Sequence, residues 1–205
     1  MAEGAKTEPL YFTSLKNRLR LTTAEVEIVH PTGTDPLTLV DEAIKRREER
    51  SRLAKRSDEM VPYDEVWVVF DLESLHDVRR DQASTAKQRG SKSGINFALS
   101  DPAFEFWLLL HETFTTRPFA DCDEVIRQLK VFSPGYTKGR APDATVLEKL
   151  PTAVTHAERC RKHHADAAGD GNPSTEVDVL ARSLNEATRE ANRFGLPGKP
   201  STPAS

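Results

Sequence analysis

The sequence predicts an α/β fold, a parallel sheet flanked by helices and followed by a helical C-terminal half. Residues 65–72 (EVWVVFDL) hold the continuous apolar run Val66, Trp67, Val68, Val69 and Phe70, which suits a strand buried on both faces. Residues 95–99 (INFAL) read as another strand, and helical patterns lie between and around the two. Such alternation of helix and strand builds a parallel sheet with helices on its faces. After Asp101 every periodic segment has helical spacing.

Taken in order, Pro9 follows Thr7 and Glu8 at the first turn of a helix that carries Tyr11, Phe12, Leu15 and Leu19 on one stripe and ends near Arg20. Residues 24–30 (AEVEIVH) alternate as a short strand, which the turn cluster 31–36 closes. Asp35 then caps a second helix with Pro36 in its first position and Leu37, Val40 and Ile44 on one face; the charged stretch 45–56 prolongs it. Pro62 breaks the chain before the buried strand. Residues 77–87 form a helix and residues 90–94 (GSKSG) a flexible loop before the next strand. Asp101 caps and Pro102 starts a helix in which Phe104, Trp107, Leu108 and His111 recur at i, i+3, i+4, i+7. Residues 122–132, 144–166 and 175–194 are three further helices, the last two separated by Gly169, Gly171 and Pro173. Residues 1–194 are expected to form a single domain and residues 195–205, five of them Gly or Pro, a disordered tail.

A chain of 205 residues with 37% hydrophobic side chains can bury one sufficient core, so neither disulfides nor a structural metal is required. Cys122 and Cys160 fit no C-x-x-C spacing and read as reduced thiols. The apolar stretch at residues 106–110, which no other exceeds, falls far short of the roughly 18 that a membrane span needs. Residues 1–8 lack the basic and apolar regions of a secretory signal, so a cytoplasmic protein without membrane contact is expected. A net charge of −3 argues against a nonspecific duplex binder acting through overall charge. Two local basic clusters remain, seven basic residues within 45–56 and the group Arg159, Arg161, Lys162, His163 and His164. Each reads first as a solvated helix face with i,i+4 pairs, and either could face a phosphate backbone.

Ligand sites in parallel α/β sheets gather at the carboxyl ends of the strands. There the buried strand ends in Asp71 and Glu73, two residues apart and so on the same side, with Cα atoms about 6.5 to 7 Å apart. Two carboxylates that close repel unless a cation neutralises them, and Mg²⁺ is the natural candidate. Alone, a D-x-E after a strand is equally at home in a solvated loop or a helix cap.

Its context is more specific. The chain carries E-G-x-K-T-E (Glu3 to Glu8), V-F-D-x-E (Val69 to Glu73), S-D-P-x-F-E-x-W-L-L-L-H (Ser100 to His111), Y-x-K (Tyr136 to Lys138) and N-P-S-T (Asn172 to Thr175), in that order. An acid followed by Gly and a helix, paired with a later strand ending in D-x-D or D-x-E, resembles the Toprim domain. The five motifs together resemble the RloB-like branch of that superfamily over residues 3–185. The resemblance implies a Toprim-like (Rossmann-like) parallel sheet and metal-dependent cleavage of phosphodiester bonds with Mg²⁺ or Mn²⁺. Glu3 would be a metal ligand or general acid/base, Asp71 and Glu73 the metal-binding pair, and Glu8 and Glu105 the candidates for extra ligands. Lys138 would stabilise transition-state charge, a solvated surface lysine being the plainer reading. The chain departs from the family pattern in two places: only Met1 and Ala2 stand before the Glu-Gly, where a hydrophobic strand is usual, and Glu73 stands where aspartate is common. Proteins of this kind are similar to components of restriction loci and abortive-infection (anti-phage) defence, commonly encoded beside an ATPase. The resemblance therefore implies a nucleic-acid substrate, DNA or RNA, and a partner ATPase; the alternative is a noncatalytic module that docks onto that ATPase.

The remaining polar residues read as structural. His111 shares the stripe of Trp107 and Leu108 and suits a hydrogen-bonded core histidine, with Phe104 and Trp107 as core. Tyr136 is a packing residue rather than a covalent nucleophile. His163 and His164 are adjacent on a helix and should point apart, and His156 with Cys160 lacks the further ligands a zinc site requires. Ser174 or Thr175 caps the final helix.

Overall fold

The computed structural model describes residues 7–21, 35–57, 59–72, 77–167 and 171–193. The expected strand at 24–30, the tail at 195–205, Glu3 and Glu73 lie outside them. In chain order the elements are α1 (Thr7–Arg18), α2 (Pro36–Ala54), β1 (Trp67–Asp71), α3 (Asp77–Lys92), β2 (Asn96–Asp101), α4 (Glu105–Glu112), α5 (Cys122–Phe132), α6 (Ala144–Glu148), α7 (Leu150–Ala167), β3 (Ser174–Thr175) and α8 (Val177–Arg193). Among the described residues no helix is long and apolar enough to cross a membrane.

The sheet is small and mixed, in the order β1-β2-β3. β1 pairs parallel with β2, Val69 opposite Ala98 and Asp71 opposite Ser100. β3 pairs antiparallel with the end of β2, Ser100 opposite Thr175, and this corrects the expectation of a wholly parallel sheet. Alternation along β1 divides the interior in two. Val68 and Phe70 face a cluster with Leu39, Val40 and Ala43 of α2 and Ala83 and Ala86 of α3. Val69 and Ala98 face the larger cluster, built from α1, α4, α5, α7 and α8, with Tyr11, Phe104, Phe106 and Trp107 buried in it. Helices thus cover both faces, as a strand apolar on both sides requires.

α2 and α5 start where expected, because each has a carboxylate cap: Asp35 accepts from Thr38 N at 3.0 Å and Asp121 from Glu124 N at 2.8 Å. Other boundaries differ. Gly90, Ser91 and Lys92 belong to α3 rather than to a loop. Gly90 lies within the helix, and β2 packs so close that a Cβ there would stand 2.5 Å from the Phe97 ring; the turn itself falls on Gly94, at φ +70. Asp101 does not cap α4. It ends β2, is joined to Pro102 by a cis peptide, and its carboxylate meets Arg80 of α3 at 2.5 Å, while α4 begins four residues later at Glu105. The expected helix 144–166 is interrupted at Lys149, because Pro151 lacks the N–H an unbroken helix would need and starts α7 instead. Ser174 and Thr175 are strand residues; Thr175 Oγ1 accepts from Val177 N, and its hydroxyl bonds that of Ser100 at 2.9 Å.

Candidate functional site

Four segments converge beside the carboxyl end of β1. The first is the buried first turn of α1, Thr7 and Glu8. The second is Asp71 itself, half-buried at the end of β1. The third is the pair of helix starts Glu105 (α4) and Cys122 (α5), whose helices pack against each other. The fourth is the loop after α5 with Tyr136, Lys138 and Gly139, where Gly139 takes φ +78 and its N–H donates to Thr7 Oγ1 at 3.0 Å.

Glu105 is the hub. It is 1% exposed, which an ionised carboxylate tolerates only when its oxygens are met by donors. Tyr136 donates its hydroxyl to Oε1 at 3.0 Å, and the Lys138 ammonium lies 3.5 Å from the same oxygen. The Cys122 thiol donates to Oε2 at 3.3 Å, and Lys138 in turn donates to Cys122 Sγ at 3.4 Å.

The protonation states agree with this pattern. Burial, and then the negative charge of Glu105, push the Cys122 thiol up to about 12, against the opposing pull of Lys138, so it stays protonated and able to donate. Burial and Glu105 likewise hold the Tyr136 phenol well above its ordinary range. For Lys138 burial works against the ammonium, but the attraction of Glu105, Cys122 and Asp71 outweighs it and raises the lysine above its usual value. Lys138 is therefore a fixed cation with one side on Glu105 and the other in the field of Asp71. Its side chain is still 61% exposed, so an incoming anion can reach it.

Asp71, Glu8 and Glu105 all offer hard oxygen atoms, the donor chemistry that suits Mg²⁺. Both oxygens of Glu105 are engaged by hydrogen-bond donors, so a metal ion there would have to displace the ammonium or the thiol. Among the described residues no group of three or more His, Cys, Asp or Glu side chains stands ready to hold a metal. The donor set fits an ion held by Asp71 only together with acids from outside those residues, as Glu3 and Glu73 would be.

The sequence groups Asp71, Glu8 and Glu105 as metal ligands of one site with Lys138, but leaves Cys122 out of it and reads Tyr136 as a packing residue. The Y-x-K spacing was the available signal for Tyr136; for Cys122, a thiol at a helix start, nothing in the sequence pointed to Glu105. Among the described residues the histidines stand apart from this site. His111 is buried, bonded to Tyr11 Oη at 3.2 Å and to the Trp107 carbonyl at 2.9 Å, the core histidine expected. His156 bonds the Leu110 carbonyl and Cys160 the Thr115 carbonyl. His163 and His164 do not point apart: their rings meet edge to face, 5.4 Å between centroids.

Compared with known proteins, the chain finds no matching curated protein and no matching solved structure. A family model described as RloB-like protein matches residues 1–184, nearly the whole length. The chain belongs to the RloB-like family.

Proposed function

We propose that this protein is a Toprim-like, divalent-metal-dependent nuclease that cleaves phosphodiester bonds in DNA or RNA in bacterial anti-phage (abortive infection) defence. The observation that carries the reading is the Lys138 ammonium, seated on buried Glu105 within the field of Asp71 at the carboxyl end of a buried strand. Asp71, with Glu3 and Glu73, would hold Mg²⁺ or Mn²⁺, and Glu8 is the further candidate. When bound, such an ion polarises the phosphate and lowers the pKa of an attacking water. Lys138 hydrogen-bonds a non-bridging phosphate oxygen and offsets the charge that grows there as the bond breaks. Glu105 does not meet the substrate; it aims Lys138. Tyr136 and Cys122 hold that carboxylate in place, Tyr136 by donating to the oxygen that faces Lys138 and Cys122 by donating to the other.

Labelled DNA and tRNA incubated with Mg²⁺ or Mn²⁺, with and without the neighbouring ATPase, test the reading. Cutting by the native chain that Asp71→Ala and Lys138→Met each abolish supports it; no metal-dependent cutting in any arm overturns it. The rival reading, a noncatalytic module docking onto the ATPase, has in its favour the exposed apolar pair Val131 and Phe132 at the end of α5. Binding of the ATPase without cutting in the same experiment is the result that favours it.

A further inference from the structure

The two basic clusters of the sequence have different fates. In the second, Arg159 lies 4.0 Å over the Phe114 ring, Arg161 is bound to Asp178, and His164 bonds the Pro173 carbonyl, so much of it serves the protein's own interior. The first keeps its charge outward. Residues 45–56 carry seven basic and two acidic side chains in a chain of net charge −3. Arg46 pairs with Glu42, but Arg52, Lys55 and Arg56 are exposed and have no ion-pair partner among the described residues.

These residues also border a concavity. The C-terminal half of α2 and the segment before β1 border an open depression of about 450 Å³ lined by Arg47, Ser51, Arg52, Lys55 and Tyr63. Two cations are fixed in place around it. Arg47 donates to the Ser93 carbonyl, and Arg50 donates to the Val61 carbonyl at 2.7 Å while its guanidinium sits 5.2 Å from the centre of the Tyr63 ring. Glu48 is the one acid on the rim. A helix end ordinarily carries one or two basic residues to complement its dipole. Arg47, Arg50, Arg52 and Lys55 against Glu48 leave three net positive charges around a hollow with a hydroxyl and an aromatic ring, which exceeds that need.

The position matters too. Pro62 and Tyr63 precede β1, and Ser93 precedes β2, so the hollow lies at the amino ends of these parallel strands, opposite the Asp71 end. Five strand residues alone set the two ends about 13 Å apart.

We infer that this hollow is a second contact site for single-stranded nucleic acid, separate from the candidate catalytic end. Arg47, Arg52 and Lys55 meet backbone phosphates, and the hollow with Tyr63 receives an unpaired base. Its size suits one nucleotide, and a paired base is not free to enter. The inference rests on the reading of a nucleic-acid substrate, but it concerns binding and needs no cutting.

The test is fluorescence anisotropy of the full chain in EDTA with short labelled single-stranded RNA, single-stranded DNA and duplex DNA, at about 50 and 200 mM salt. Arg52→Ala/Lys55→Ala should weaken single-strand binding about tenfold or more and flatten the salt dependence by about 1.4 logarithmic units of slope. Tyr63→Leu should weaken it about tenfold with the slope unchanged. Lys45→Ala, on the same helix but outside the hollow, should change affinity less than about twofold, and Arg52→Lys should restore the salt slope. Because Arg52 and Lys55 are exposed, the double variant should melt at the native temperature. Unchanged affinity in the double variant, an equal loss in Lys45→Ala, or a loss confined to duplex DNA overturns the inference. Absence of cutting with these binding changes intact overturns only the nuclease reading.

Discussion

Two buried carboxylates invite comparison. Asp178, at the start of α8, is fully buried and gripped by both terminal nitrogens of Arg161, with Arg182 3.6 Å away. This two-pronged charged clamp leaves no oxygen open. Glu105 is just as buried, yet its donors are a phenol, a thiol and a lysine that is mostly exposed. The first carboxylate ties α7 to α8. The second holds a cation at the surface with bonds weak enough to be exchanged. Burial alone does not separate structural from functional acids; the identity and exposure of the partners does.

The largest effect should come from breaking the clamp. Arg161→Met strands Asp178 with only Arg182 beside it, and loss of one member of a buried pair costs about 3–5 kcal/mol. For a domain of this size that is a fall in melting temperature on the order of 10 °C, readable by calorimetry. A change below about 2 °C would show that the two carboxylates are not different in kind.

At the site the balance reverses. Lys138→Met should reduce cutting on the order of 10² to 10³ fold, the usual loss for one preorganised donor, while moving the melting temperature little. Comparable losses of melting temperature in Lys138→Met and Arg161→Met would erase the distinction.

Acid should act mainly through His111, near the opposite end of α4 from Glu105. Burial holds its pKa down to about 4, below the ordinary 6.5, so the folded state keeps it neutral. A group with a depressed folded pKa contributes stability above its unfolded pKa, and that stability is lost as pH falls from about 6.5 to 4, on the order of 3 kcal/mol in all. Melting curves across that window should show a decline that His111→Gln flattens; an equal decline in the variant would assign it to carboxylates.

The smallest effect belongs to Cys122→Ser. A hydroxyl donates to Glu105 at least as well as a thiol, so stability should shift by less than about 1 kcal/mol.

The elements easiest to read from sequence were those whose local chemistry marks both ends, such as α2 with Asp35 and Pro36, and the strand whose apolar run admits no other burial. Two of the misread boundaries share one cause, a local signal with two structural uses. Asp-Pro opens many helices, but Asp101 is held at a strand end because Arg80 of a neighbouring helix needs its charge. Glycine breaks helices in isolation, but Gly90 sits within one, where its missing side chain lets the Phe97 ring approach. β3 is two residues long and has no period to detect. Within the site, single acids and the lysine are visible in sequence because their motifs are. The joining of Glu105 to Cys122, Tyr136 and Lys138 depends on how α4, α5 and the following loop pack, and no local pattern encodes that.

The bond from Gly139 N–H to Thr7 Oγ1 joins residues 132 positions apart. Closing so long a stretch of chain is entropically costly and is repaid only by the surrounding core. The site around Lys138 therefore exists only while the first helix is docked on the rest of the fold. A nascent or partly unfolded chain holds the same residues without bringing them together, so whatever chemistry they perform is withheld until the protein is complete.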